Sequence, residues 1–200
     1  MSKIIFLNGC GSSGKTSIAR SIQYLSSDDW LTFGIDTFIK MTPLPSPNKT
    51  AKYLDFVPGK SKHGQTLQVQ IKPKGEKLFG LMPEFADLLA HNGHNLIIDE
   101  VLFGDALLKS YVKKLNKHTV YFAGIYCDLE AMQEREFLRQ DRAIGLSNDQ
   151  ANKVHTGLRE YDLTIDTTLS SNFDSAQQIL EFIKKNPYPE GFKKMQAELK

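Results

Sequence analysis

The sequence predicts an α/β domain, a largely parallel sheet with helices on both faces. Three observations predict it. Short apolar runs alternate with amphipathic stretches at a spacing that suits repeated βα units. The octet Gly9-Cys10-Gly11-Ser12-Ser13-Gly14-Lys15-Thr16 matches G-x-x-x-x-G-K-[ST] and sits between an apolar run and an amphipathic one, where a strand and a helix must flank it. Finally, the chain has 200 residues, 40% of them hydrophobic. A chain of this size can bury roughly 70% of its unfolded surface in one core, so no disulfide or metal staple is needed.

Taken in order, the apolar run Ile4-Ile5-Phe6-Leu7 gives a first strand over 3–7. Ile18, Ile22 and Leu25 recur at helical spacing after the glycine-rich octet. A second strand is expected over 31–35. Residues 41–75 break the pattern: Pro43, Pro45, Pro47, Pro58 and Pro73 punctuate them, and no period survives for more than a few residues. Loops this long in a compact domain are usually functional or disordered, and 41–75 is the segment left to shape an acceptor pocket. Helical periodicity returns over 76–91 with Leu78, Met82, Phe85 and Leu89, where Pro83 either kinks the helix or marks its true start. A third strand spans 95–98, a helix carries Leu107, Tyr111, Val112 and Leu115, and a fourth strand spans 119–126. A helix over 149–159, a fifth strand over 162–165 and a helix carrying Ala176, Ile179, Leu180 and Ile183 follow. The expected organisation is one domain over 1–186 and a tail over 187–200 that is a short helix or a frayed end, with a solvated tail the plainer reading.

Charge and cysteine content narrow the function. Twenty-five Lys+Arg against 23 Asp+Glu give a net charge of +2, with no broad basic stripe, which demotes nucleic acid and anionic membranes as partners. No run approaches the ~20 apolar residues of a spanning helix. Cys10 and Cys127 have no CxxC spacing, so a reducing, cytoplasmic setting is expected.

The octet is a phosphate cradle. Its glycines let the backbone turn so that successive N–H groups face phosphate oxygens, and the helix that follows adds its positive end. The expected nucleotide-binding set is Gly9, Cys10, Gly11, Ser12, Ser13, Gly14, Lys15, Thr16 and Ser17, joined by Arg135. Lys15 reaches the β- and γ-phosphates of ATP, and the Thr16 hydroxyl ligates Mg²⁺. Cys10 could have its thiol pKa lowered by the helix end and Lys15, or could simply be a small residue that fits. The run Leu96-Ile97-Ile98-Asp99-Glu100 ends a strand in an acid, the place from which Asp99 would hold Mg²⁺. Glu100 could activate water, contact substrate or cap the next helix.

Three classes of phosphate-loop protein compete. A GTPase needs a guanine-reading N-K-x-D, and Asn116-Lys117-His118-Thr119 lacks the aspartate and precedes its strand. A motor-type ATPase needs further domains. A small-molecule kinase remains, and two features favour it. Asp36 stands at the carboxyl end of the second strand, on the edge where open α/β folds bind ligands. A carboxylate is too weak a base to ionise an alcohol in the ground state. It can orient a hydroxyl and take its proton during transfer, or it can merely cap the turn at Thr37. Arg135, Arg139 and Arg142, at spacings of four and three, share one helical face that acids barely neutralise. They lead into Gly145 and a hinge-like segment, so 135–148 reads as a lid that brings arginines onto the transferring group. His155 is either a packed histidine or a substrate or nucleotide contact. Trp30, Phe33, Phe38, Tyr53 and Phe56 either wall an acceptor pocket or pack the core. Two other readings stay open: a nucleoside, nucleotide or RNA-end kinase, and a non-catalytic ATP-binding regulatory module.

Several blocks in fixed order resemble the chloramphenicol phosphotransferase-like family of P-loop kinases. They are Leu7-Asn8-Gly9, Trp30-Leu31-x-Phe33-Gly34-Ile35-Asp36, Ile97-Ile98-Asp99-Glu100-Val101-Leu102, Arg139-x-Asp141-Arg142-x-x-Gly145, and Val154-His155 followed by Tyr161-Asp162-Leu163-x-Ile165-Asp166-Thr167-Thr168. The resemblance runs from residue 3 to about 185. It implies a three-layer kinase sandwich with a five-stranded sheet in the order 2-3-1-4-5, and transfer of the ATP γ-phosphoryl group to a small-molecule hydroxyl. It places Asp36 at the catalytic-base position, Lys15 and Thr16 at nucleotide positions, and Arg139 and Arg142 at lid positions. No match covers 41–75, and Asp99-Glu100 stands where the family has Asp-Asp.

Overall fold

In the computed structural model, which describes residues 2–43, 50–61, 64–139 and 144–199, β1 (Lys3–Gly9) is the central strand of a parallel sheet. It is paired on one side by β5 (Asn95–Glu100) and on the other by β6 (Thr119–Tyr126). β2 (Trp30–Gly34) extends the sheet beyond β5, and β7 (Leu163–Asp166) extends it beyond β6. The spatial order β2-β5-β1-β6-β7 is 2-3-1-4-5 when the five strands of this sheet are counted alone, as expected. All four pairings are parallel, which requires crossovers that cover both faces.

Alternation along the strands divides the core in two. Ile4, Phe6, Leu96, Ile98, Val120 and Phe122 point to one face. They pack under α2 (Ile35–Lys40), α3 (Pro73–Phe79), α4 (Met82–His91) and α5 (Ala106–Lys114), through Phe38, Phe79, Met82 and Tyr111. Ile5, Leu7, Ile97, Tyr121, Ala123 and Ile125 point to the other. There α1 (Lys15–Leu25) contributes Ile18 and Ile22, and α8 (Asn172–Lys185) contributes Ala176, Ile179 and Ile183. Each large side chain withdrawn from water adds about 1.5–3 kcal/mol, so these two layers hold the strand ends in place. Among the described residues, no helix is long and apolar enough to cross a membrane.

The structure departs from the periodicity in several places. The second strand stops at Gly34, and Ile35 already begins α2. Pro83 lies in the first turn of α4, where its missing N–H costs nothing, so the helix expected over 76–91 is two helices. The segment 41–75 holds a hairpin, β3 (Leu54–Ser61) and β4 (Gly64–Ile71), pairing Leu54 with Ile71 and Phe56 with Val69. Pro58 faces Leu67, whose N–H is donated outward to Gly145, so the proline occupies a pair that exchanges no ladder bonds. Two further helices, α6 (Leu129–Leu138) and α7 (Leu146–Gln150), precede a run of turns where one helix over 149–159 was expected. Finally, the stretch expected to be a solvated tail forms α9 (Gly191–Glu198). Its Phe192 and Met195 are buried, with the Phe192 ring 5.8 Å from Phe6 and 5.6 Å from Phe122.

Candidate active site

The loop between β1 and α1 is fixed at its root by Asn8. This buried side chain donates to the Val154 carbonyl (3.1 Å) and the Tyr161 hydroxyl (2.7 Å), and accepts the Leu102 N–H (3.0 Å). The crown of the loop is held from the opposite side: the Thr167 hydroxyl donates to the Ser13 carbonyl at 2.8 Å. Ser12 and Ser13 are buried, and neither hydroxyl has a hydrogen-bond partner. Unmade bonds of this kind cost about 1–3 kcal/mol each, and an oxyanion seated in the loop could accept from them. The cradle therefore fits a nucleotide phosphate chain.

Lys15, in the first turn of α1, is 5% exposed. Its ammonium donates to the Cys10 carbonyl at 2.8 Å and lies 3.6 Å from Asp99 Oδ1. Thr16 donates its hydroxyl to Asp99 Oδ2 at 2.6 Å. Thr16 and Asp99 thus present hard oxygen donors side by side, the ligand type Mg²⁺ takes. Among the described residues there is no cluster of three His, Cys, Asp or Glu side chains that could hold a metal alone. A Mg²⁺ ion there fits only as one shared with phosphate oxygens and water, which is how this ion is usually bound at phosphate sites.

Asp36 reaches the same edge by a close approach of two strands. A Cβ at Gly34 would stand 1.8 Å from the Asp99 carbonyl oxygen, so only glycine allows β2 to end against β5. α2 begins at the next residue, and Asp36 is exposed in its first turn.

The three arginines separate. Arg135 is half-buried and donates to the Thr167 carbonyl (2.7 Å), the Thr167 hydroxyl (3.3 Å) and the Cys127 sulfur (3.3 Å). It braces the strand-end loop beside the cradle, and its guanidinium would lie 3.9 Å from a Cβ at Gly14. Arg139 lies just past the end of α6 and is exposed. It lines a pocket of about 420 Å³ with Thr16, Ser17, Arg20, Tyr24, Asn172 and Phe173. Arg142 lies outside the described residues. Glu136, the one acid positioned to neutralise the stripe, is buried and bonds elsewhere.

Burial pushes the Cys10 thiol up to about 11, against the smaller opposing pull of Lys15, so this side chain stays a neutral thiol packed with Met132 and Val154. Glu100 is fully buried, and burial raises its carboxyl to about 8 despite the Tyr111 hydroxyl bonded at 3.0 Å. It braces α5, and it neither faces solvent nor caps a helix. His155 stacks on Tyr126 at 3.9 Å and bonds the Tyr161 hydroxyl at 2.8 Å; burial lowers its pKa to about 4, so it is a neutral packing residue. Trp30 packs on the α1 face and Phe33 and Phe38 on the opposite one, so these three cannot wall one pocket, and Phe56 lies exposed on the hairpin.

Sequence reasoning missed Arg20, Tyr24, Asn172 and Phe173 as pocket walls. The spacing of Thr16, Arg20 and Tyr24 along one face of α1 was the available signal. It also missed Gln150, whose side-chain carbonyl accepts the Gly11 N–H at 2.5 Å across 139 residues; no local pattern marks it.

Comparison with known proteins gives the family and the fold. The profile of the family described as "Chloramphenicol phosphotransferase-like protein" matches residues 2–184. A Mycobacterium tuberculosis protein named "Putative O-phosphotransferase" is 28% identical over 205 residues, covering 96% of this chain and 87% of that one. Two solved structures share the fold. The Mycobacterium tuberculosis APS kinase in complex with AMPPNP and APS has a TM-score of 0.60 at 12% identity, covering 92% of this chain and 98% of that one. Shikimate kinase from Acinetobacter baumannii, in complex with shikimate, has a TM-score of 0.54 at 15% identity, covering 93% and 95%.

Proposed function

This chain belongs to the chloramphenicol phosphotransferase-like family, and from that premise we propose that it is an ATP- and Mg²⁺-dependent O-phosphotransferase acting on a hydroxyl of a small molecule. The observation that carries the proposal is the cluster Lys15–Asp99–Thr16, in which an ammonium, a carboxylate and a hydroxyl meet within 3.6 Å at the mouth of a cradle with two unpartnered serine hydroxyls. Mg·ATP supplies the γ-phosphoryl group. Lys15 neutralises charge on its oxygens from the loop side and Arg139 from across the cradle, and the family resemblance gives Arg142 the same role. The loop from Gly9 to Ser17 holds the phosphate chain, the Gly11 N–H itself being taken by Gln150, with Arg135 bracing the rim, and Thr16 and Asp99 would hold the metal. The pocket between α1, Arg139 and Phe173 receives the nucleoside, with the Tyr24–Phe173 pair at 5.9 Å as its aromatic edge.

Asp36 accepts a hydrogen bond from the acceptor hydroxyl and takes its proton as the oxygen–phosphorus bond forms and the bond to the β-phosphate oxygen breaks. The hairpin occupies the segment where an acceptor pocket must be built. A reducing, cytoplasmic setting suits the two free cysteines.

The test is an ATP-consumption screen with Mg²⁺ against amphenicols, nucleosides, sugars and oligonucleotide ends, with mass spectrometry locating the added phosphate. Transfer to a small-molecule hydroxyl is expected. Transfer only to oligonucleotide ends would replace this reading with an RNA-end kinase. Tight nucleotide binding with no phosphorylated product would replace it with a regulatory module.

A further inference from the structure

The short helix α7 touches three parts of the site at once. Its last residue, Gln150, is 5% exposed and accepts the Gly11 N–H of the phosphate loop. Its first turn is held by Glu136 of α6, itself 2% exposed. Oε2 of that carboxylate accepts the Gly145 N–H and the Ser147 hydroxyl, each at 2.9 Å, and Oε1 accepts the Ser147 N–H at 3.1 Å. From the third side the hairpin docks. The Leu67 N–H donates to the Gly145 carbonyl at 3.0 Å, and the Asn148 amide donates to the Gln65 carbonyl at 2.8 Å. Gly145 has φ 102°, and a Cβ there would stand 3.1 Å from the Leu67 nitrogen, so glycine is needed for this docking.

A five-residue helix has no stability of its own, since isolated helices shorter than ~12–15 residues are marginal in water. The position of α7 is therefore set by these three attachments, and moving one moves the others. The root of the hairpin is anchored on the sheet: Leu54 packs on the core cluster under α2 to α5.

We infer that Gln150 is a positioning residue that couples the nucleotide and acceptor sides of the enzyme. Seating of phosphates in the loop fixes Gly11, Gly11 fixes Gln150 and α7, and α7 fixes the β3–β4 hairpin against which the acceptor rests. Coupling is reciprocal, so an ordered hairpin also favours the nucleotide-bound loop. The inference rests on the phosphotransferase reading in two respects, that the loop holds a nucleotide and that the acceptor is received against the hairpin.

Hydrogen exchange followed by mass spectrometry tests it on the full chain, with and without Mg·AMP-PNP, with binding measured in parallel by calorimetry. Amides of β4, which lie outside the nucleotide pocket, should exchange about 5- to 150-fold more slowly in the complex, the range of typical site-to-site coupling. In Gln150→Ala the nucleotide should still bind, but that slowing should vanish. A purely structural Gln150 would raise exchange equally with and without nucleotide. Asn148→Ala, which removes the bond to the Gln65 carbonyl and leaves the Leu67–Gly145 bond in place, should diminish the slowing and decides the matter if Gln150→Ala does not fold. Binding without slowing in the wild type, or slowing retained in full in the folded variants, overturns the coupling alone. Failure of the wild type to bind Mg·AMP-PNP overturns the phosphotransferase reading and the coupling together.

Discussion

The Thr16 hydroxyl donates to the Asp99 carboxylate at 2.6 Å, joining the first turn of α1 to the end of β5 across 83 residues of chain. The other carboxylate oxygen faces the Lys15 ammonium, so one acid organises both the Thr16 hydroxyl, proposed to meet the metal, and the Lys15 cation, proposed to meet the phosphates. Asp99→Asn keeps the shape but removes the charge. The Mg²⁺ concentration for half-maximal ATP turnover should rise by about 10–100-fold, the range for lost support of a bound metal. A titration indistinguishable from wild type would remove Asp99 from the metal site.

Asp36 is exposed in the first turn of α2, outside the phosphate loop, and the proposal gives it the acceptor hydroxyl and not the nucleotide. Asp36→Asn should therefore leave the Kd for Mg·AMP-PNP unchanged while lowering kcat for a verified acceptor by roughly 10²–10⁴-fold. Full turnover by this variant would assign Asp36 to capping the first turn of α2.

Gly34→Ala would force a methyl group to within 1.8 Å of the Asp99 carbonyl oxygen, a backbone atom that cannot swing aside. Urea unfolding should show a loss of about 1–3 kcal/mol or more, the usual cost of overpacking. Because β2 then moves away from β5, taking Asp36 with it, kcat should fall further than nucleotide affinity.

Glu100 makes stability depend on pH. Burial raises its carboxyl from 4.5 in the unfolded chain to about 8 in the fold. The folded state therefore holds the proton more tightly, and its contribution is complete below 4.5 and lost as pH climbs toward 8. Glu100→Gln keeps an acceptor for Tyr111 and cannot ionise. In thermal melts with chelator present, the variant should match wild type near the acid end and melt higher at pH values above about 8. A parallel decline of both proteins across that window would clear Glu100 of the effect.

His155 acts in the opposite sense. Burial lowers its pKa from 6.5 to about 4, so the stability it confers as a neutral ring is complete above 6.5 and is lost as pH falls toward 4. His155→Phe keeps a ring against Tyr126 without a titrating nitrogen, and its Tm should decline less steeply than wild type across that interval. Equal slopes would show that the histidine is solvated.

What the sequence determined by itself is local. The phosphate loop was legible because its geometry depends on eight contiguous residues, and the strands of the sheet because each is a short apolar run flanked by its own helix. Lys15, Thr16, Asp99 and Asp36 followed, since each is fixed by its place at the end of such an element. Tertiary structure decided everything that depends on partners distant in the chain. The prolines of 41–75 erased the period that would have marked β3 and β4, while cross-strand pairs such as Phe56 with Val69 built them regardless. Arg135 looked like a free lid cation and is committed to Thr167, whereas Arg139, just beyond the end of α6, faces the cradle. Phe192 and Met195 drew a nominal tail onto the core. Gln150 and Gly11 meet across 139 residues, a contact without periodicity or motif, because it exists only once the sheet, the hairpin and α7 have been packed together.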